Sequence, residues 1–173
     1  PAIYGNAVRS TLSLVAALTL LLVRQYFNPL FKLEGLLVVF VLTLVGPLAA
    51  DTLYLYSISK IGASKSAPLG YVYAFIAALL GAVFLGEEVR ALDVLGGALM
   101  LVGVWLLYQA AANDAEESKD FKKGVAAILA SAFLWALAAL LLKVALLYVD
   151  IVLLVVLRTA FLSTIIATAL AVR

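Results

Sequence analysis

The sequence predicts an all-α integral membrane protein, a helical bundle with six transmembrane helices. Hydrophobic residues make up 66% of its 173 positions, charged residues make up 13%, and the mean hydropathy is +1.19. A soluble domain of this size could not expose so much apolar surface to water. The apolar runs are about as long as a helix must be to cross the ~30 Å hydrocarbon core of a bilayer. They do not alternate as barrel strands do, and in lipid each segment must satisfy its own backbone polar groups, which favours helices.

Six apolar runs and five polar connections define the predicted helices. Helix A ends at Arg24, and Asn28-Pro29 marks a turn before helix B. Helix B contains Pro47 and, one turn later, Asp51. The predicted bounds are about Ile3–Val23 (A), Leu36–Ile58 (B), Ala67–Leu85 (C), Val94–Tyr108 (D), Gly124–Leu147 (E) and Ile151–Val172 (F).

The hairpin from Pro68 to Tyr108 is predicted to be the centre of the bundle. Pro68 is expected in the first turn of helix C, where its missing N–H costs least. Small residues favour close helix approach in lipid, and Gly96 with Gly103 forms such a groove on helix D. The matching stripe on helix C consists of Gly70, Ala74, Ala77 and Gly81.

An internal repeat relates helix F to helix A. At an offset of 149 residues, Arg9 aligns with Arg158 and Arg24 aligns with Arg173. One repeat then contains five helices. Because five is an odd number, the second copy is inverted in the membrane, as in secondary transporters built from inverted repeats.

The absence of Cys and His from the sequence argues against an enzyme. Thiolate and imidazole ligands and the usual nucleophile–base pairs are not available. Only Asp51 lies clearly inside a predicted helix, so a pair of carboxylates is not available either. We therefore predict no catalytic residue, no cofactor and no metal. The dispersed Lys and Arg residues argue against nucleic acid as a partner.

The charges inside predicted helices are the candidate functional groups. A carboxylate such as Asp51 costs roughly 2.5–3.5 kcal/mol at this depth unless it is compensated. Asp51 either faces a cavity, where it binds a proton or a substrate amine, or forms a fixed ion pair with Arg9 or Lys143. Arg9 and Arg158 either extend toward the interface or bind a carboxylate or phosphate through the guanidinium fork.

Aromatic side chains complete the predicted site. Tyr54 lies one turn from Asp51, Tyr71 and Tyr73 lie near the mouth of helix C, and Trp135 is either a packing residue or an aromatic platform. Glu87 and Glu88 lie at a predicted helix end, which indicates a role in an interfacial turn. The predicted substrate-binding residues are Arg9, Asp51, Tyr54, Tyr71, Tyr73, Trp135, Lys143 and Arg158.

Four segments carry a resemblance to a known family: LLGAVFLGEE, LGGALMLVGVWLL, LASAFLWALAALLLKVAL and LRTAF. Because these segments occur in this order, the chain resembles the EamA-type branch of the drug/metabolite transporter superfamily, whose members have two five-helix repeats. The resemblance implies that residues 1–112 are helices two to five of the first repeat, 113–123 a charged linker, and 124–173 the first two helices of the second. It further implies a peripheral fifth helix, here helix D, and a chain with about six of ten helices.

The resemblance implies a transporter, commonly an exporter of small metabolites such as amino acids or related amphipathic solutes. We expect a multi-pass protein of the plasma membrane. Its partners are the lipid bilayer, a small-molecule substrate, and either the missing helices or a second copy. The alternatives are a non-transporting scaffold or assembly protein, and a small multidrug-type transporter acting as a dimer. The positive-inside rule and the usual arrangement of the family give opposite orientations.

Overall fold

The computed structural model describes residues 31–114 and 119–171, together with residues 8, 11–16, 18 and 19. Residues 11–16 are helical. The later elements are α1 (Leu33–Thr43), a π-helical segment (Leu44–Ala50), α2 (Asp51–Ile61), α3 (Ala63–Gly70), α4 (Val72–Leu85), α5 (Ala91–Asp114), α6 (Lys119–Ala145) and α7 (Ile151–Ala171).

Five helical spans in the described part of the chain are long and apolar enough to cross a membrane. They correspond to predicted helices B to F, so the predicted all-α membrane bundle is confirmed. Helix A lies mostly outside the described residues. The five spans are Leu33–Ile61, Ala63–Leu85, Ala91–Gln109, Asp120–Ala145 and Ile151–Ala169.

Helix B runs unbroken through Pro47 because its middle is π-helical. Proline has no N–H to donate, and its ring clashes with the carbonyl four residues earlier. Wider π-type turns accommodate such a defect and often occur at functional positions. The segment also packs tightly on α6, since a Cβ added to Gly46 would lie 2.9 Å from Ala138 Cβ. Asp51 follows directly as the first residue of α2.

Helix C differs from the prediction at two points. It begins at Ala63, so Pro68 lies inside α3 and not in the first turn. It is also interrupted at Tyr71, whose N–H donates to the carbonyl oxygens of Ala67 and Pro68 at 3.3 and 3.2 Å. The interruption divides the predicted small-residue stripe. Its two glycines, Gly70 and Gly81, are buried, whereas Ala74 between them is exposed.

The centre of the bundle is α6 and not the predicted hairpin. It packs against α1, the π-helical segment, α2, α3 and α4. Ala132 and Ala136, one turn apart on α6, are fully buried. Small side chains at that spacing let neighbouring backbones approach closely, which is how helices associate in lipid.

Helix α5 lies at the edge of the bundle, as the resemblance implies for helix D. Only 6% of its membrane-spanning window is buried, and it packs mainly against α3 and α4. The contact uses Gly97, which leaves room for the Phe75 ring. A Cβ added to Gly96 or Gly103 would meet nothing within 4 Å in the described structure, so no described residue packs into the predicted groove.

The polar ends of the helices extend further than predicted. Helix α6 begins at Lys119 instead of Gly124. In this first turn Asp120 forms a salt bridge of 3.1 Å with Lys60, near the end of α2. Polar residues outside the hydrocarbon core can continue a helix without desolvation, so hydropathy does not mark its end. The predicted division of the chain at 113–123 stays a prediction.

Candidate functional site

A cavity of about 510 Å³ lies between helices B, C, E and F, with Ser13 of the N-terminal segment in its wall. None of the described side chains of helix α5 lines it. Six of the eight predicted substrate-binding residues line this one space. They are Asp51, Tyr54, Tyr71, Tyr73, Trp135 and Arg158.

Trp135 holds the Asp51 carboxylate in place. Its indole Nε1–H donates to Asp51 Oδ1 at 2.7 Å, and Asp51 is 8% exposed. A hydrogen bond to an ionised acceptor is stronger than one between neutral groups. The two residues are 84 positions apart in sequence, so helices B and E together create this contact.

Two tyrosines surround the Trp135 indole. The ring of Tyr54 lies 5.1 Å from it between centroids, and the ring of Tyr73 lies 5.8 Å away in an edge-on arrangement. Gly70 leaves the space in which the indole sits, because an added Cβ would lie 3.3 Å from Trp135 Cζ3 and 3.0 Å from Ile128 Cδ1. The three aromatic rings therefore form one cluster, and its Trp135 member donates to the Asp51 carboxylate.

Buried hydroxyl groups join the helices around the cavity. Ser131 Oγ on α6 donates to the carbonyl oxygen of Ala50, directly before Asp51, at 2.7 Å. Ser57 and Ser66 share a hydrogen bond of 2.8 Å between α2 and α3. Interhelical hydrogen bonds of this kind restrain helices in lipid. The carboxylate is thus held from its backbone side as well as through its side chain.

Helix α7 brings the opposite charge to the cavity. Arg158 and the following residue, Thr159, both line it. Thr159 Oγ1 donates to the carbonyl oxygens of Val155 and Val156, at 2.8 and 3.0 Å, and so is satisfied within its own helix. The cavity consequently has an acidic group on α2 and a guanidinium on α7.

Lys143 lies elsewhere. Its ammonium group pairs with Glu87, with Nζ 2.6 and 2.7 Å from the two carboxylate oxygens, and both residues line a second cavity of about 710 Å³. This placement is a correction to the expectation that Lys143 faces the same space as Asp51 or pairs with it. The two charged partners lie near the ends of α4 and α6, where the helices reach the same face of the bundle. Arg9 lies outside the described residues.

Several residues of the site were missed from the sequence. Gly70 was predicted only as part of a packing stripe, and Ser131 was not predicted at all. Thr159 did carry a signal, because it aligns with Ser10 in the internal repeat. Tyr71, which was predicted near the mouth of helix C, lines the cavity and is 62% exposed.

The sequence profile of the EamA-like transporter family matches residues 1–109. The match contains Asp51, Tyr54, Tyr71 and Tyr73 of the cavity, whereas Trp135 and Arg158 come from the following helices. No curated protein and no solved structure gives a significant match to the chain.

Proposed function

Because this chain belongs to the EamA-like transporter family, we propose that it exports small amphipathic metabolites, such as amino acids, through the cavity at Asp51. One observation carries the proposal: a cavity between the helices that is lined by an acidic group, a guanidinium and four aromatic residues. An embedded charge that faces a polar cavity is compensated, whereas one that faces lipid is not. The protein acts as a multi-pass protein of the cell membrane.

The cavity chemistry suits a solute with an amine, a carboxylate and an apolar body. Asp51 receives the substrate amine or a coupling proton, and Arg158 receives the carboxylate in a two-pronged hydrogen bond that lysine cannot reproduce. The rings of Tyr54 and Trp135 cover the apolar part of the solute. Lys143 was the alternative carboxylate partner, and its pairing with Glu87 supports Arg158 instead.

Transport also requires access from both sides of the membrane. In the inverted-repeat architecture, the substrate site lies between two related units that rock against each other. A second five-helix unit, or a second copy, completes the pathway in this proposal. The division at residues 113–123 separates the two units.

The scaffold alternative explains the structure less well. An assembly protein needs only packed helices, and it would place its embedded charges in pairs with no cavity beside them. Asp51 and Arg158 instead line the same open space. The small multidrug-type alternative differs in needing two copies of the chain, so the oligomeric state of the active protein distinguishes it.

The test is Asp51→Asn in the full-length protein, reconstituted in proteoliposomes and assayed by counterflow of labelled L-leucine at several pH values. We expect leucine transport to fall about 10- to 150-fold, because charge-assisted contacts contribute about 1.5–3 kcal/mol each. The variant keeps the side-chain shape, so membrane insertion should not change. Glu34→Gln is the matched control, since Glu34 is an exposed carboxylate that lines neither cavity.

Normal transport by Asp51→Asn with an unchanged pH dependence would show that the assigned site is wrong. Absence of counterflow with the unmodified protein, across a panel of amino acids, would favour the scaffold alternative. Loss of transport when the protein is reconstituted at one copy per vesicle would favour the dimeric alternative.

A further inference from the structure

The second cavity is not explained by the central site. It lies between α4, the connection at residues 86–90, the start of α5, and α6. Ala74, Ala77 and Leu140 form an apolar wall. The lining also includes five charged residues, which are Glu87, Glu88, Arg90, Asp93 and Lys143.

The local sequence places the Glu87 carboxylate in this cavity. Gly86 has φ +66, in the left-handed region where glycine carries no penalty, and it ends α4. The chain then reverses, and the Glu87 N–H donates to the carbonyl oxygen of Gly81 at 3.3 Å. Gly81 has no Cβ, and a Cβ there would collide with the Glu87 carboxylate. Both glycines thus allow Glu87 to fold back over the helix end and reach Lys143.

The Glu87–Lys143 pair is accessible. The side chain of Lys143 is 49% exposed and that of Glu87 is 43% exposed. Ion pairs with this exposure contribute little to stability, so they exchange partners readily. A polar solute entering the cavity therefore meets two opposite charges that can separate.

The two cavities share a wall. Tyr73 and Ala139 line both of them. On the side of the central cavity, the Tyr73 ring touches the Trp135 indole edge-on. Tyr73 and Ala139 are therefore the residues at which the two spaces meet.

We propose that the second cavity is a peripheral binding site for a zwitterionic solute on its way to or from the central cavity. The Glu87–Lys143 pair opens, Glu87 receives the ammonium group of the solute, and Lys143 receives its carboxylate. Each charge then still has an opposite partner. A solute with only one charge pairs with Glu87 or with Lys143 but not with both, so a zwitterion makes one ion pair more and the site favours it. This inference rests on the proposed function and adds a second binding site to the same transport pathway.

Equilibrium binding of labelled L-leucine to the full-length protein in nanodiscs tests the proposal. The unmodified protein should show two components. Glu87→Gln and Lys143→Met should each weaken one component at least tenfold, whereas Asp51→Asn should weaken the other. Glu34→Gln should leave both unchanged.

Exchanging the two charges distinguishes a loss of solute binding from a loss of the folded structure. The double variant Glu87→Lys, Lys143→Glu keeps an ion pair in the opposite direction, and a zwitterion can turn to match it. This variant should recover the component that each single charge loss removes. Competition adds a second readout: 3-methylbutylamine and 4-methylpentanoate, which carry one charge each, should displace leucine from the peripheral component at least tenfold less well than unlabelled leucine.

Three results would overturn the peripheral site: one binding component in the unmodified protein, two components that survive both Glu87→Gln and Lys143→Met, or equal competition by the singly charged analogues. In each case leucine binding that still depends on Asp51 would leave the proposed function intact. If no amino acid of the panel binds, both proposals fail.

Discussion

The hydrogen bond from Trp135 to Asp51 makes a quantitative prediction about substrate affinity. Trp135→Phe keeps an aromatic ring between Tyr54 and Tyr73 and removes the N–H that lies 2.7 Å from Asp51 Oδ1. A hydrogen bond to a charged group contributes about 1.5–3 kcal/mol. Without it the carboxylate can leave the orientation in which it meets the substrate amine, so the preorganisation of the site is lost.

At 1.4 kcal/mol per tenfold change, the full loss corresponds to a leucine KM about 10 to 150 times higher. The maximal rate should change less, because the ring and the cavity walls remain. The smaller ring also weakens two aromatic contacts, each of which contributes about 0.5–1.5 kcal/mol. A modest fall in thermal stability is therefore expected as well.

The assay is leucine counterflow at a range of concentrations, with thermal unfolding of the same preparations in detergent. Trp105→Phe is the matched control, since Trp105 lies on α5, is 56% exposed and lines neither cavity. It should leave KM unchanged. If Trp135→Phe lowers the unfolding temperature but leaves KM unchanged, Trp135 is a packing residue only, and its role in orienting Asp51 is refuted.

Two further predictions concern the bundle. Gly97→Ala should destabilise the protein by about 1–3 kcal/mol in detergent unfolding, because its methyl group would overlap the Phe75 ring; Gly96→Ala should be neutral or slightly stabilising, and equal effects would contradict the observed α5 contact. In the cysteine-free chain, a cysteine at the exposed Ser64 should react with an impermeant maleimide in opened membranes, whereas one at the fully buried Ala136 should not; reaction at position 136 would mean that water reaches the core of α6.

The membrane class and the helices could be predicted because they depend on local quantities. Run length, hydropathy and the positions of charges decide which segments enter lipid. Helix F was predicted at Ile151–Val172 and is observed at Ile151–Ala171. Helix B is longer than predicted, Leu33–Ile61 against Leu36–Ile58, because polar residues outside the hydrocarbon core continue its turns.

Which helix lies at the centre of the bundle could not be predicted in the same way. Apolar helices are similar in composition, and small residues occur in helices C, D and E alike. Only the packed structure shows that α6 lies at the centre and that Gly97, not Gly96, meets a neighbour. The interruption at Tyr71 also changes which residues of helix C share a face.

The candidate site, too, could be predicted only in part. From the sequence alone, the rarity of charges in lipid singled out Asp51, Arg158 and Lys143 as groups that need a partner, since an uncompensated charge there is costly. The sequence could not say which partner each one has, because that depends on the rotation of every helix about its axis. Only the tertiary structure joined Asp51 to Trp135, 84 positions away, and Lys143 to Glu87, 56 positions away. It thereby separated two cavities where the sequence predicted one.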